Sequence, residues 1–319
     1  MSAPTGFEQR VRDYLAERRR LGFELASSEY TLMSFARYAD AQDNPGPLSI
    51  ELMTQWARCD THQRHTPVTW ARRLKQLRPF TRYLRRFEPH TEVPDAIFGP
   101  LPQRQAPHIY REEEIVDLLA AARGLMPLSG LRPATYETLF GLIASAGLRL
   151  SEALHLLDAD VELKHSTLTI RQTKFAKSRQ LPLHLSTVDA LRRYRRTRNR
   201  HLKLTADTPF FVSNKGTALG SRQVHRIFVQ LRQQLGWVNR GAHHAPRIHD
   251  LRHAFAVRRV MLWHEQGTDI DQAMLALSTY MGHVKISNTY WYLTAVPELM
   301  ALAAEKFEHF ANGQEVEDV

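Results

Sequence analysis

One cysteine, Cys59, is all that the 319 residues contain. This excludes an internal disulfide framework and any zinc site built on several thiolates, and it suits a reducing compartment. Long apolar runs are missing as well. Nothing approaches the roughly 18 consecutive apolar residues that a membrane-spanning helix requires, and the opening stretch MSAPTGFEQRVRD holds no apolar segment of the signal-peptide kind. The expectation is a cytoplasmic chain with no membrane partner. Glycine-rich phosphate loops, spaced zinc ligands and internal repeats are also absent.

Acidic residues are scarce where basic ones gather. Against 33 Asp plus Glu stand 43 Lys plus Arg, a formal charge of +10 and a pI of about 9.9, which favours a polyanionic partner such as nucleic acid. Between Asp60 and Glu88 there is no acidic side chain at all. That interval predicts a helix over about 66–87, with Trp70, Leu74, Leu77, Leu84 and Phe87 as its buried stripe. Arg72, Lys75, Arg78, Arg82, Arg85 and Arg86 fall mostly on the opposite side and form a DNA-binding face, while Pro79 predicts a kink or split within the helix.

With 43% hydrophobic and 24% charged residues the chain has ordinary globular proportions, and its length exceeds what a single core usually serves. Further helices are predicted over about 7–21, 28–41 and 49–59. Pro89, Pro94, Pro100, Pro102 and Pro107 then punctuate an aperiodic stretch, so a linker at 91–106 is expected between a helical domain at 1–90 and a second domain at 107–319. In the second domain, helices are predicted over about 112–124, 132–146, 150–157, 186–203, 221–235, 249–265, 269–281 and 296–311. Two alternating segments, at about 167–172 and 179–184, flank the polar turn Thr173–Ser178 and predict a β-hairpin. The fold class is mainly α: two domains, the second mostly helical with a small β-hairpin or sheet.

Four stretches carry chemistry. In Gly147-Leu-Arg149-Leu-Ser-Glu152, Arg149 opens a helix where free amides and a guanidinium can meet a phosphate. Lys174 and Lys177 lie on the hairpin turn, and either lysine can protonate a leaving oxygen or touch phosphate. In His249-Asp-Leu-Arg252-His253, the three- and four-residue spacing aims several donors to one face of a helix. The neighbouring His243 and His244 lack a carboxylate or thiolate to complete a metal-ligand spacing, so no metal is assigned. Finally, Gly282-His283 precedes Tyr290 and Tyr292, which stand about 200° apart on a helix, so one of the pair is a packing residue. Taken singly, each of these is an ordinary surface or core residue.

Taken together and in order, Arg149, Lys174, His249, Arg252, His283 and Tyr292 resemble the catalytic set of the tyrosine recombinase (phage integrase) family. The matching text is an Arg in GLRLSE, a hairpin Lys, His-x-x-Arg opening a helix, Gly-His, and Tyr292 nine residues after that His. Trp291 before Tyr292, and Ser-Thr-Tyr before Met-Gly-His, look closer to recombinases carried on mobile elements. The resemblance implies a site-specific recombinase, with an N-terminal core-binding domain that clamps double-stranded DNA. Its chemistry would be attack by Tyr292 to give a 3′-phosphotyrosyl link without ATP, metal or other cofactor. Arg149 and Arg252 would hold the phosphate and Lys174 would protonate the leaving oxygen; His249 and His283 would assist, and Glu152 would support Arg149. It further implies a tetramer on paired DNA sites. Phe307 and Phe310 of the last helix, near an acidic tail, would dock on a neighbouring protomer or pack within their own. Two other readings stand beside it. A type IB-topoisomerase-like enzyme would relax supercoils without pairing sites, and a DNA-binding regulator would form no covalent adduct.

Overall fold

Hydroxyl side chains start two of the helices, as their positions in the sequence dictate. Ser49 accepts from the amide of Leu52 and opens Ile50–Arg58, and Thr66 accepts from Thr69 with Pro67 in the first turn of Pro67–Leu84. These helices belong to a computed structural model that describes residues 6–42, 47–59, 66–173, 177–202, 205, 207–283 and 285–295. Ser27, Gln172, Thr173, Lys177, Asp271 and 292–295 are described by backbone alone. The chain divides into two compact units, parting between Arg104 and Gln105.

The first unit packs α1 (Phe7–Arg20), α2 (Ala26–Ala41), α3 (Ile50–Arg58) and α4 (Pro67–Leu84) around Val11, Leu15, Phe35, Met53, Trp56, Leu74, Leu77 and Phe80. The Asp40 carboxylate near the end of α2 accepts from the amides of Phe7 and Glu8, closing the open end of α1. In α4 the helix is not split: it runs unbroken through Pro79 to Leu84. Phe87 therefore lies beyond the helix and is 67% exposed, outside the buried stripe where the periodicity put it. Among the cations, Arg72, Lys75, Arg82, Arg85 and Arg86 are exposed. Arg78 is half-buried, its Nε donating to the Pro94 carbonyl at 2.7 Å. Arg73 turns inward, 4.0 Å over the Trp56 ring, and donates to the Ala57 carbonyl. The proline-rich stretch is shared out. The amide of Glu92 donates to Leu48 in the first unit, and the amide of Ala242 donates to Ala106 in the second.

The second unit runs α5 (Glu112–Arg123), α6 (Leu131–Ala146), α7 (Leu150–Leu154), a 3₁₀ turn at Asp158–Asp160, β1 (Val161–Glu162), β2 (Thr167–Thr173), β3 (Lys177–Pro182), α8 (Leu185–His201), α9 (Ser221–Leu235), α10 (Ile248–Glu265), α11 (Ile270–Met281) and α12 (Ser287–Ala295). The helix predicted over 150–157 stops at Leu154. The hairpin gains a third strand, giving an antiparallel sheet β1-β2-β3, because β1 is two residues long and too short to show a period. Leu168 faces Leu181 and Ile170 faces Arg179 across β2 and β3. A core of Leu139, Phe140, Ile143, Leu168, Leu181, Leu191, Phe228 and Leu251 joins the helices to the sheet. A smaller cluster of Val257, Val260, Met274, Leu277 and Met281 holds α10 to α11, with Tyr290 and Trp291 of α12 packed on it. The helix predicted over 296–311 lies outside the described residues. No described helix is long and apolar enough to cross a membrane, and among the described residues no group of three or more His, Cys, Asp or Glu is placed to hold a metal ion.

Candidate active site

Gly147 makes the turn that brings the first arginine into place. It ends α6 with φ +60°, a conformation that side chains other than glycine's rarely take, and a Cβ there would stand 2.4 Å from the ring of Phe255. Two residues later Arg149 starts α7. Its amide donates to Glu152 Oε2 at 3.0 Å, its Nη1 donates to Glu152 Oε1 at 2.6 Å, and its Nη2 reaches the Gly282 carbonyl at 3.1 Å. Glu152 thus holds both ends of Arg149, and the arginine itself reaches the turn that follows α11.

Arg252 comes to the same place from α10. It is only 1% exposed, and it donates through Nη1 to the Gly147 carbonyl at 2.5 Å and through Nη2 to the Met281 carbonyl at 2.6 Å. Its Nη2 also lies 3.1 Å from His283 Nε2. Two arginines from distant stretches of chain therefore grip the same turn, Met281-Gly282-His283, at the end of α11. Gly282 has φ +65°, which lets α11 end sharply and turns His283 back toward Arg252. His283 Nδ1 is 2.7 Å from the Thr289 hydroxyl, so the turn is also fastened to α12.

A third arginine, Arg179 on β3, completes this cluster. Its Nη1 and Nη2 donate to the two oxygens of Glu152 at 3.1 and 3.0 Å, and its Nε donates to the Tyr280 carbonyl at 2.9 Å. Burial raises the Glu152 carboxyl, but Arg179 and then Arg149 outweigh it and hold the group below the ordinary carboxylate value. Glu152 is therefore an anion shared among guanidiniums.

His249 sits one turn before Arg252 on α10. Burial, reinforced by Arg252, Arg247 and Arg149, depresses its pKa to about 4, so its imidazole is neutral at neutral pH. The His253 ring lies 4.7 Å from that of His249 and 5.7 Å from that of Trp291, which connects this patch of α10 to α12. Tyr290 packs on the cluster between α10 and α11. The backbone of Tyr292 lies in α12, two positions and about 200° further round the helix.

Of the residues singled out from sequence, Arg149, Glu152, Arg252 and His283 meet directly, with His249 close enough to feel both arginines. Lys174 lies outside the described residues, and Lys177 lies in β3, paired with Thr173. Arg72, Lys75, Arg78, Arg82, Arg85 and Arg86 belong to the first unit. Two residues of this network were missed in the sequence. Arg179 had a readable signal, because it stands on the same strand face as Leu181 and Leu183, and a cation in an apolar alternation calls for a buried anion. Thr289 had none.

Three kinds of likeness place the chain among known proteins. Residues 109–298 match the model of the phage integrase family. The chain is 41% identical over 308 residues to integrase/recombinase y4rB of Sinorhizobium fredii, covering 95% of this chain and 97% of that one. It is 27% identical over 276 residues to the tyrosine recombinase XerC of Halalkalibacterium halodurans, covering 84% and 85%. In fold it is similar to the Tn1549 transposon integrase solved in complex with transposon right end DNA, with TM-score 0.65, 15% identity, and 96% and 100% of the two chains covered. It is similar also to a lambda integrase dimer bound to a COC' core site, with TM-score 0.60, 15% identity, and 88% and 96% covered. The chain belongs to the phage integrase family, and its activity is that of a tyrosine-type site-specific recombinase. Neither the strand-relaxing reading nor the regulator reading is favoured by these likenesses.

Proposed function

We propose that the site cleaves and rejoins double-stranded DNA through a phosphotyrosyl intermediate, with Tyr292 as the nucleophile. The Tyr292 oxygen attacks the scissile phosphorus, a 3′-phosphotyrosyl bond forms, and the 5′ oxygen leaves. A phenol of ordinary pKa, about 10, is ionised only to roughly one part in a thousand at pH 7, so neighbouring cations must favour its phenolate. Arg149 and Arg252 hold the non-bridging oxygens, where charge builds up in the transition state. Single preorganised donors of that kind are worth about 10² to 10³ in rate. Lys174 gives its proton to the leaving oxygen, which would otherwise depart as an alkoxide. His249, neutral in this setting, and His283 relay protons and orient the phosphate. The phosphotyrosyl bond keeps the energy of the one it replaced, so a 5′ hydroxyl from another strand reverses the step without ATP. The guanidiniums and the lysine take the charge-neutralising part that paired metal ions play in other nucleases.

The observation that carries this reading is the junction of Arg149 and Arg252 on one turn, each within reach of Glu152 and with His283 between that turn and α12. The exposed cations of α4 would contact the DNA backbone from the first unit, acting as a core-binding domain at 1–90 that the linker 91–106 joins to the catalytic domain at 107–319. Exchange between two duplexes calls for four protomers on paired sites, and the work would take place on chromosomal or element DNA in the cytoplasm. The Tn1549 and lambda structures, both DNA complexes, support DNA as the partner.

The test uses a duplex selected by binding from a randomised pool and then nicked in its central segment, so that cleavage traps the protein. A covalent adduct whose tryptic map places the DNA on Tyr292, and which Tyr292→Phe abolishes, is the expected result. An adduct on another residue, or none with the bound duplex, refutes the assignment.

A further inference from the structure

We propose that Arg179 is a positioning residue of the cleavage reaction, tying β3 to Glu152 and to the Gly282-His283 turn so that Arg149 and Arg252 remain aligned and charged toward the phosphate. The inference rests on the reading of Arg149 and Arg252 as the phosphate donors. Arg179 makes a two-pronged bond to Glu152 and a third bond to the Tyr280 carbonyl, so one planar group joins a strand, a helix start and a helix end. Its side chain is 13% exposed and that of Arg149 35%, so Arg179 is the more enclosed of the two partners of this carboxylate. The turn is also built around it. A Cβ on Gly282 would come within 2.7 Å of Arg179 Nη1, so the guanidinium lies against the bare face of this glycine, whose positive φ makes the turn.

Charge gives the arrangement its purpose. A phosphodiester carries one negative charge, and attack by a phenolate makes the transition state dianionic. Arg149, Arg179 and Arg252 set three positive charges around the single negative charge of Glu152, with Arg252 Nη1 at 3.9 Å from Glu152 Oε2. The excess matches the dianion. With Arg179 removed, Glu152 would lose its two-pronged partner and its tie to β3, and Arg149 would hang on a carboxylate no longer fixed in place. The carboxylate itself would become easier to protonate. The groups facing Glu152 are Arg149 from the start of α7, Arg179 from β3 and Arg252 from α10. His283 lies behind Arg252, and His249 lies on the side of Arg149 and Arg252.

The experiment compares full-length wild type, Arg179→Met and Arg179→Lys on the trapping duplex at saturating protein, reading duplex affinity, the rate of adduct formation and its pH profile. Arg179→Met is expected to bind within about twofold of wild type and to cleave at least about tenfold more slowly. The acid limb of its profile should move up by about one pH unit, because a protonated Glu152 releases Arg149. Arg179→Lys, which keeps the charge and loses the fork, should be several-fold slow with the acid limb of wild type. The proposal is overturned if either variant cleaves like wild type, if a slow Arg179→Met keeps the wild-type acid limb, or if its deficit follows lost duplex affinity. Should Arg179→Met melt below the assay temperature, Arg179→Lys decides alone by its rate at saturation. Absence of adduct with wild type would instead refute the phosphate reading, and this inference with it.

Discussion

Arg252 Nη2 lies 3.1 Å from His283 Nε2, so a buried side chain of α10 fixes one edge of the imidazole. The opposite edge is fixed by Nδ1, which is 2.7 Å from the Thr289 hydroxyl. His283 is thus held between the buried arginine and the helix that carries Tyr292.

Thr289→Val removes the hydroxyl from a fully buried position while keeping its shape. One hydrogen bond is worth about 1 kcal/mol, and loss of this tie on the His283 ring should slow adduct formation by roughly five- to tenfold with duplex affinity unchanged. Thr289→Ser should retain most of the rate. Single-turnover cleavage at saturating protein measures both.

Gly147→Ala places a methyl group 2.4 Å from Phe255 Cδ1 on a backbone at φ +60°. Strain and overpacking are each worth about 1–3 kcal/mol, so urea unfolding of the second unit should show a loss of roughly 2–4 kcal/mol. The double variant Gly147→Ala/Phe255→Leu should recover the steric part and leave the backbone part.

Acid should destabilise the protein in two stages. The folded chain holds His249 near a pKa of about 4, and an unfolded histidine titrates near about 6.5. The unfolded state therefore takes up a proton that the folded state refuses, and stability falls as pH drops from about 6.5 toward 4. Burial shifts His108 and His243 in the same direction. Glu152, depressed by Arg179 and Arg149, adds a loss further down as pH falls through its folded value. Urea midpoints from pH 4 to 8 should show the slope, and His249→Gln should flatten it between 6.5 and 4.

The cations of α4 and of the residues just after it divide by what they touch. Removing one phosphate contact lowers the slope of log affinity against log salt by about one, so Arg82→Ala and Arg85→Ala should each flatten that plot. Arg78, which donates to the Pro94 carbonyl, should leave the slope nearly intact and lower the melting temperature of the first unit. Binding titrations from about 50 to 200 mM salt, paired with thermal melts, separate the two outcomes.

Much of the fold could be read from neighbours in the chain. Ser49, Thr66 and Pro67 start their helices, and α9 runs from Ser221 to Leu235 as its periodicity predicts. The failures were equally local. Phe87 continued a helical period, but the helix had already ended at Leu84. Within the site, Arg149, Glu152, Arg252 and His283 were legible as motifs. Arg179 is marked only by its place in the apolar alternation of β3, which calls for an anion without naming Glu152, and Thr289 is a buried hydroxyl with no mark of its own.

By itself the sequence determined the two-part helical plan, the basic face of α4, and the residue types available for phosphate chemistry. These depend on caps, periods and charges within a few positions, where each residue acts on its near neighbours. Tertiary structure alone decided which cations share Glu152, which groups hold the two edges of the His283 ring, and that His249 is neutral. Protonation and charge balance depend on burial and on groups within a few ångströms, and folding brings those groups from stretches of chain that have no local relation to one another.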